Sequence, residues 1–221
     1  MSFAQYFFLA LPTGAVLLAL FLRLQRQGEK KWSILPKCGG TFLAFAGAVL
    51  AVWNGSAQAW PAVVFLGLCM IADGLLEVRF VPGMLCFAAA HGVLVWFYCT
   101  RLGAAGELPW PLLAGTWLLC VGIALVAFRK DLKTTGKLTP VFCLYPVVLG
   151  LLVGLAVSAA AVLHGPWPGS ILAAVGMGCF FVSDLMVAKR FFHPDEHRWM
   201  ELPIMVLYWG ALYLVVASLW P

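Results

Sequence analysis

Charge is confined to short clusters along this chain, and the apolar runs between them approach the ~20 residues that cross a bilayer as a helix. Eight such runs can be drawn, at 3–22, 36–53, 62–77, 82–99, 110–128, 139–162, 170–188 and 202–220. Lipid offers the backbone no hydrogen-bonding partners, so each run is expected to be helical. The composition agrees: of 221 residues 63% are hydrophobic and 10% charged, with a mean hydropathy of +0.97. Soluble domains carry about 25% charged residues. The expected fold is therefore an all-α, polytopic membrane bundle of about eight spans, one integral membrane domain over 1–221. The first run lacks a basic leader and a small-residue cleavage site, and is read as a span.

Basic residues orient the spans. Arg23, Arg26, Lys30, Lys31 and Lys37 flank the first connection. Arg79 follows the third run, Arg129, Lys130, Lys133 and Lys137 the fifth, and Lys189, Arg190 and Arg198 the seventh. Only Arg101 falls on the other side. The basic side is expected to be cytoplasmic, with both termini outside. Trp32, Trp53, Trp60, Trp110, Trp167, Trp199 and Trp220 lie near run ends, where an aromatic belt places them. Asn54-Gly55, Pro61, Pro82-Gly83, Pro109, Pro111, Gly136, Pro140 and Gly165-Pro166 read as turn punctuation. The net charge of +5 belongs to topology and headgroup contact and does not argue for nucleic acid. The seven cysteines lie singly, without a CxxC pair, as small buried hydrophobes would.

Two aspartates interrupt this apolar pattern. Gly67-x5-Asp73-x5-Arg79-Phe80 recurs as Gly178-x5-Asp184-x5-Arg190-Phe191. With four spans in each half, this suggests parallel repeats over 1–105 and 106–221, related by an axis along the membrane normal. At ~1.5 Å per residue, both acids lie ~7 Å inside the basic boundary, with Tyr145 and Tyr208 at ~9 Å and His91 at ~13 Å. Lys37 and Glu77 are nearer the surface. Ionisable groups at membrane depth are costly and tend to serve function, so these residues suggest a polar cavity opening to the basic side. Two carboxyl groups in such a pocket can divide the work of acid and base. His91 is a candidate acid–base group or ligand. His193 and His197, with Asp195 and Glu196 between them, have metal-ligand spacing but fall in a connection, where a solvated loop is the plainer reading.

The chain resembles the YhhN family of eight-span membrane proteins, whose characterised members are lysoplasmalogenases. The resemblance rests on Leu68-Cys69-Met70-Ile71-Ala72-Asp73, Phe80-Val81-Pro82-Gly83-Met84 leading to Ala90-His91, Tyr145-Pro146, Gly176 through Phe191 with Ser183-Asp184, and Tyr208-Trp209. The chain departs from the usual family pattern at Lys37-Cys38, Ala72 and Leu212. The resemblance implies hydrolysis of the vinyl-ether bond of lysoplasmalogens, giving a fatty aldehyde and glycerophosphoethanolamine or glycerophosphocholine. It implies no cofactor and no metal; the partners are a lysophospholipid, water and membrane lipid. Asp73 and Asp184 then become the acid–base pair, His91 and Tyr145 hydrogen-bond the reacting group or water, and Tyr208 and Ser183 line the pocket. Lys37, Arg79 and Arg190 become candidates for the phosphate. A proton-coupled transporter or lipid flippase is the competing expectation; a sealed outer half would argue for the enzyme, and polar access from both sides for transport. A metal-dependent hydrolase of the ceramidase-like type needs several histidines at membrane depth, where only His91 stands.

Overall fold

A computed structural model describes residues 2–56, 59–106, 108–136, 139–165, 167–193 and 198–220. These residues form eight α-helices: α1 (Phe3–Arg26), α2 (Lys30–Trp53), α3 (Trp60–Val78), α4 (Phe80–Ala105), α5 (Trp110–Phe128), α6 (Thr139–Leu163), α7 (Ser170–Phe192) and α8 (Glu201–Ser218). All eight are long and apolar enough to cross a membrane, so the chain is a multi-pass helical bundle. Among the described residues there is no strand.

Local chemistry sets the helix ends. Ser2 caps α1 in a capping box: its hydroxyl accepts from the Gln5 amide while the Gln5 side chain accepts from the Ser2 amide. Gly106 closes α4 in the left-handed conformation, at φ 71°, which glycine adopts without a Cβ penalty. Pro61 and Pro111 stand in the first turns of α3 and α5, where a missing amide hydrogen removes no helical bond.

Several helices exceed the apolar runs. α2 starts at Lys30 rather than 36, α4 reaches Ala105 rather than 99, and α7 reaches Phe192 rather than 188. Charged residues halt a hydropathy run, whereas helical hydrogen bonding continues into the interface, where long basic side chains bury their stems and keep their heads wet. One of the expected turn signals, Pro82-Gly83, changes meaning accordingly. Pro82 and Gly83 lie in the first turns of α4, and Pro36 lies inside α2. Pro12 inside α1 and Pro146 inside α6 are further internal prolines, of a kind membrane helices tolerate. Pro166 and Lys137 lie outside the described residues.

Consecutive helices pack within each half: α1 on α2, α2 on α3, α3 on α4, then α5 on α6, α6 on α7 and α7 on α8. The main joins between the halves are α4 on α6 and α2 on α8. Replacing each helix by the one four places along the chain maps this whole set of neighbours onto itself. The core is largely aromatic and small-residue, with Phe65, Cys69, Ala72, Ala90, Phe180 and Leu212 buried at its centre. Trp53, Trp60 and Trp110, at helix ends, are exposed.

Candidate active site

Spacing on three helices brings the polar groups together. Lys37 and Thr41 are four apart on α2, and Asp73 and Glu77 four apart on α3, so each pair shares a helix face. The faces meet. Lys37 Nζ lies 2.9 Å from Glu77 Oε1 and 3.9 Å from Asp73 Oδ1. Thr41 donates its hydroxyl to Asp73 Oδ2 at 2.5 Å, and Tyr208, from α8, donates to the same oxygen at 2.8 Å. Asp73 is only 1% exposed, and a carboxyl group so placed requires these partners. Thr41, Asp73 and Tyr208 thus tie the first half of the chain to its last helix.

Asp184 sits on α7, half-buried, and accepts a hydrogen bond from the Tyr145 hydroxyl of α6. Among the described residues no cation lies within ion-pair distance of it. Each aspartate is therefore held by one tyrosine, but Asp73 has a threonine and a lysine besides.

Both aspartates line one cavity of about 320 Å³, together with Lys37, Glu77, Ser183, Arg190, Glu201 and Tyr208. Its remaining wall is mainly apolar, including Phe21, Phe80, Phe87 and Phe191. All of these residues come from the helix halves nearest the basic connections. A narrower apolar slot of about 70 Å³ adjoins it; Asp184, Leu76, Phe80, Phe87 and Val187 line both spaces. Phe142, Tyr145, Leu149 and Phe181 continue the slot between α5, α6 and α7.

Beneath the acids lies a cluster of rings. Phe180 packs edge-on against Tyr208, Phe87 and His91, with centroids 5.4, 5.9 and 4.9 Å apart, and His91 meets Tyr145 at 5.8 Å. Farther along the same helices the buried residues include Ala62, Leu66, Leu155, Ala159, Leu212 and Val216.

The sequence candidates divide in this geometry. Asp73, Asp184, Lys37, Ser183, Arg190 and Tyr208 share the cavity, and Tyr145 reaches it through Asp184. Ser183 itself donates to the Ile204 carbonyl at 3.2 Å, bracing α7 against α8. Two candidates lie elsewhere. Arg79 is the extended residue between α3 and α4, exposed and off the cavity wall. His91 is fully buried one turn beyond Phe87, whose ring occupies the wall in its place, and among the described residues neither ring nitrogen has a hydrogen-bond partner. Of the residues with metal-ligand spacing in the last connection, Asp195, Glu196 and His197 lie outside the described residues. His193 is engaged instead with Asp131, at 2.9 Å. Among the described residues no three His, Cys, Asp or Glu side chains gather as a metal site.

Thr41 and Glu201 were not singled out from the sequence. Thr41 had a signal, lying one turn after Lys37 on the same face. Glu201 had none beyond opening the last helix.

The sequence model of the YhhN family matches residues 32–219. The chain belongs to the YhhN family. That match covers α3 to α8 and all but the first two residues of α2, so every cavity residue named above except Phe21 falls within the YhhN region. No curated protein and no solved structure matches the chain.

Proposed function

We propose that this protein is a membrane hydrolase that cleaves the vinyl-ether bond of lysoplasmalogens. The observation that carries the reading is the placement of Asp73 and Asp184 on one cavity wall, each held by a tyrosine, with an apolar slot entering at Asp184. The slot suits a single alkenyl chain, and the wider charged cavity suits a glycerophosphate head group entering from the basic side, which faces the cytoplasm in this reading.

The different surroundings of the two acids support different roles for them. Asp73, with two hydroxyl donors and Lys37 beside it, has the surroundings of a carboxylate. Asp184, with a single phenol and no cation, is the proton donor. Asp184 protonates the outer alkene carbon, leaving an oxocarbenium-like cation on the carbon bonded to oxygen, which the Asp73 carboxylate stabilises. Asp73 takes a proton from water as that water adds to the cation, giving a hemiacetal. Collapse returns the hemiacetal hydroxyl proton to Asp184 and passes the Asp73 proton to the departing glycerol oxygen. Water and vinyl ether are consumed, aldehyde and alcohol are formed, and both acids are restored. The division of labour parallels the paired carboxylates of glycosidases.

Transport would need a polar route past the ring cluster, and the buried side chains beyond it are chiefly apolar. The deciding assay follows aldehyde release by purified protein from a lysoplasmalogen and from an ester lysophospholipid. Aldehyde from the first alone is expected. Asp73→Asn and Asp184→Asn should each lower the rate by about 10²–10⁴, the usual worth of a positioned acid or base. No turnover of the lysoplasmalogen by well-folded wild type would sink the proposal.

A further inference from the structure

Among the described residues the larger cavity carries two cations, Lys37 and Arg190, and each already holds a glutamate. Lys37 is committed between Glu77 and Asp73. Arg190 is less bound: its guanidinium meets Glu201 at 2.6 Å, with the two side chains 32% and 17% exposed. This pair joins the end of α7 to the first turn of α8 at the cavity wall.

A planar guanidinium grips phosphate through two parallel hydrogen bonds, so a phosphate entering the cavity competes with Glu201 for Arg190. Displacing Glu201 has a consequence. Its carboxylate is mostly buried, and a buried charge that loses its partner is strongly disfavoured. A ligand carrying phosphate alone leaves Glu201 stranded. A ligand with a cationic nitrogen next to its phosphate exchanges one ion pair for two and leaves neither protein charge alone.

We propose that Arg190 and Glu201 together form a head-group subsite, Arg190 taking the phosphate and Glu201 the cationic nitrogen. The site thereby selects a zwitterionic head group over phosphate alone, and Glu201 is the residue that sets the preference. This rests on the reading of the cavity as a lysolipid site.

The test uses two non-cleavable 1-O-alkyl lysolipids, one with phosphoethanolamine and one with a bare phosphate, titrated by calorimetry into the full-length protein in detergent. Wild type is expected to bind the phosphoethanolamine form about tenfold more tightly, and Glu201→Gln to bring the two to near equality. Equal binding by wild type, or an unchanged preference in folded Glu201→Gln, overturns the subsite. Should Glu201→Gln not fold, the wild-type comparison decides alone. Because binding is read directly, a protein that shows the preference yet releases no aldehyde from the vinyl-ether analogue would retain the subsite and lose the proposed hydrolysis.

Discussion

Phe80 and Phe191 stack face to face with their ring centroids 3.8 Å apart and their planes within 18°. They occupy corresponding positions in the two G-x5-D-x5-R-F segments, seven residues after Asp73 and Asp184. Two equivalent residues touch each other only near the axis that relates them. The contact brings the two matching segments together at their basic ends. It also explains how two acids on helices that do not pack closely against each other come to share a cavity: the segments converge at their basic ends and leave the space between them open.

This stack should behave as one unit. Phe80→Ala and Phe191→Ala are each expected to lower thermal stability in detergent. The double variant should lose less than the sum, with a coupling of about 1 kcal/mol, the usual worth of an aromatic pair beyond its buried area. Additive losses in a double-mutant cycle would mean that the rings contribute separately.

Thr41 should matter to both the chemistry and the fold. Its hydroxyl is one of two donors to Asp73 Oδ2, and a hydrogen bond to a charged group contributes roughly 1.5–3 kcal/mol. Thr41→Val keeps the shape and removes the donor, so kcat/KM for aldehyde release should fall about 10–100-fold, and the melting temperature should fall as well because a buried carboxylate loses a partner. Thr41→Ser should stay near wild type. A Thr41→Val protein with undiminished turnover would show that Tyr208 and Lys37 suffice to hold Asp73.

Much of this arrangement was legible in the chain. Hydropathy and basic residues marked the eight helices, and depth counting put Asp73, Asp184, Tyr145 and Tyr208 at one level. Facing was not legible, because a nearly uniform apolar helix has no polar side from which to read its rotation. His91 and Phe87, one turn apart on α4, show the consequence: the sequence favoured the histidine as the polar residue, while the cavity wall is formed by the phenylalanine. Arg79 lies off the cavity wall for a different reason. Residues at corresponding repeat positions need not play the same part: Arg190 stays within α7 and faces the cavity, whereas the backbone turns extended at Arg79 and carries its side chain outward.

Outside the spans, Asp131 fastens the connection after α5 to the end of α7. It lies in a short 3-10 turn, Asp131–Thr134, and is buried at 7% exposure. Lys189 Nζ reaches one of its oxygens at 2.7 Å and His193 Nε2 the other at 2.9 Å. Burial alone would raise the Asp131 pKa, but these two partners outweigh it and hold the carboxyl below its ordinary value. A lowered carboxylate pKa contributes stability that is present above the unfolded value, about 4, and is lost as pH falls through the folded one. Thermal melts of wild type should therefore weaken on the acid side of about pH 4. Asp131→Asn should melt lower at neutral pH and show a flatter acid limb. Parallel curves for the two proteins would remove Asp131 as a source of the acid-side loss.

Gly40 on α2 faces Trp209 of α8, within one of the two main joins between the halves. A Cβ there would lie 2.2 Å from two carbons of the Trp209 ring, itself buried. The indole has no room to withdraw within a packed core, so Gly40→Ala should cost about 1–3 kcal/mol through overpacking. Gly92 and Gly210, also within helices, have nothing within 4 Å of the same added atom. Alanine at either should be neutral or gain up to about 1 kcal/mol from helix propensity. Melting temperatures of the three variants in one detergent separate the two effects, and Trp209→Leu combined with Gly40→Ala should recover part of the loss. A Gly92→Ala or Gly210→Ala protein destabilised as much as Gly40→Ala would show that the close approach to Trp209 is not what requires glycine at position 40.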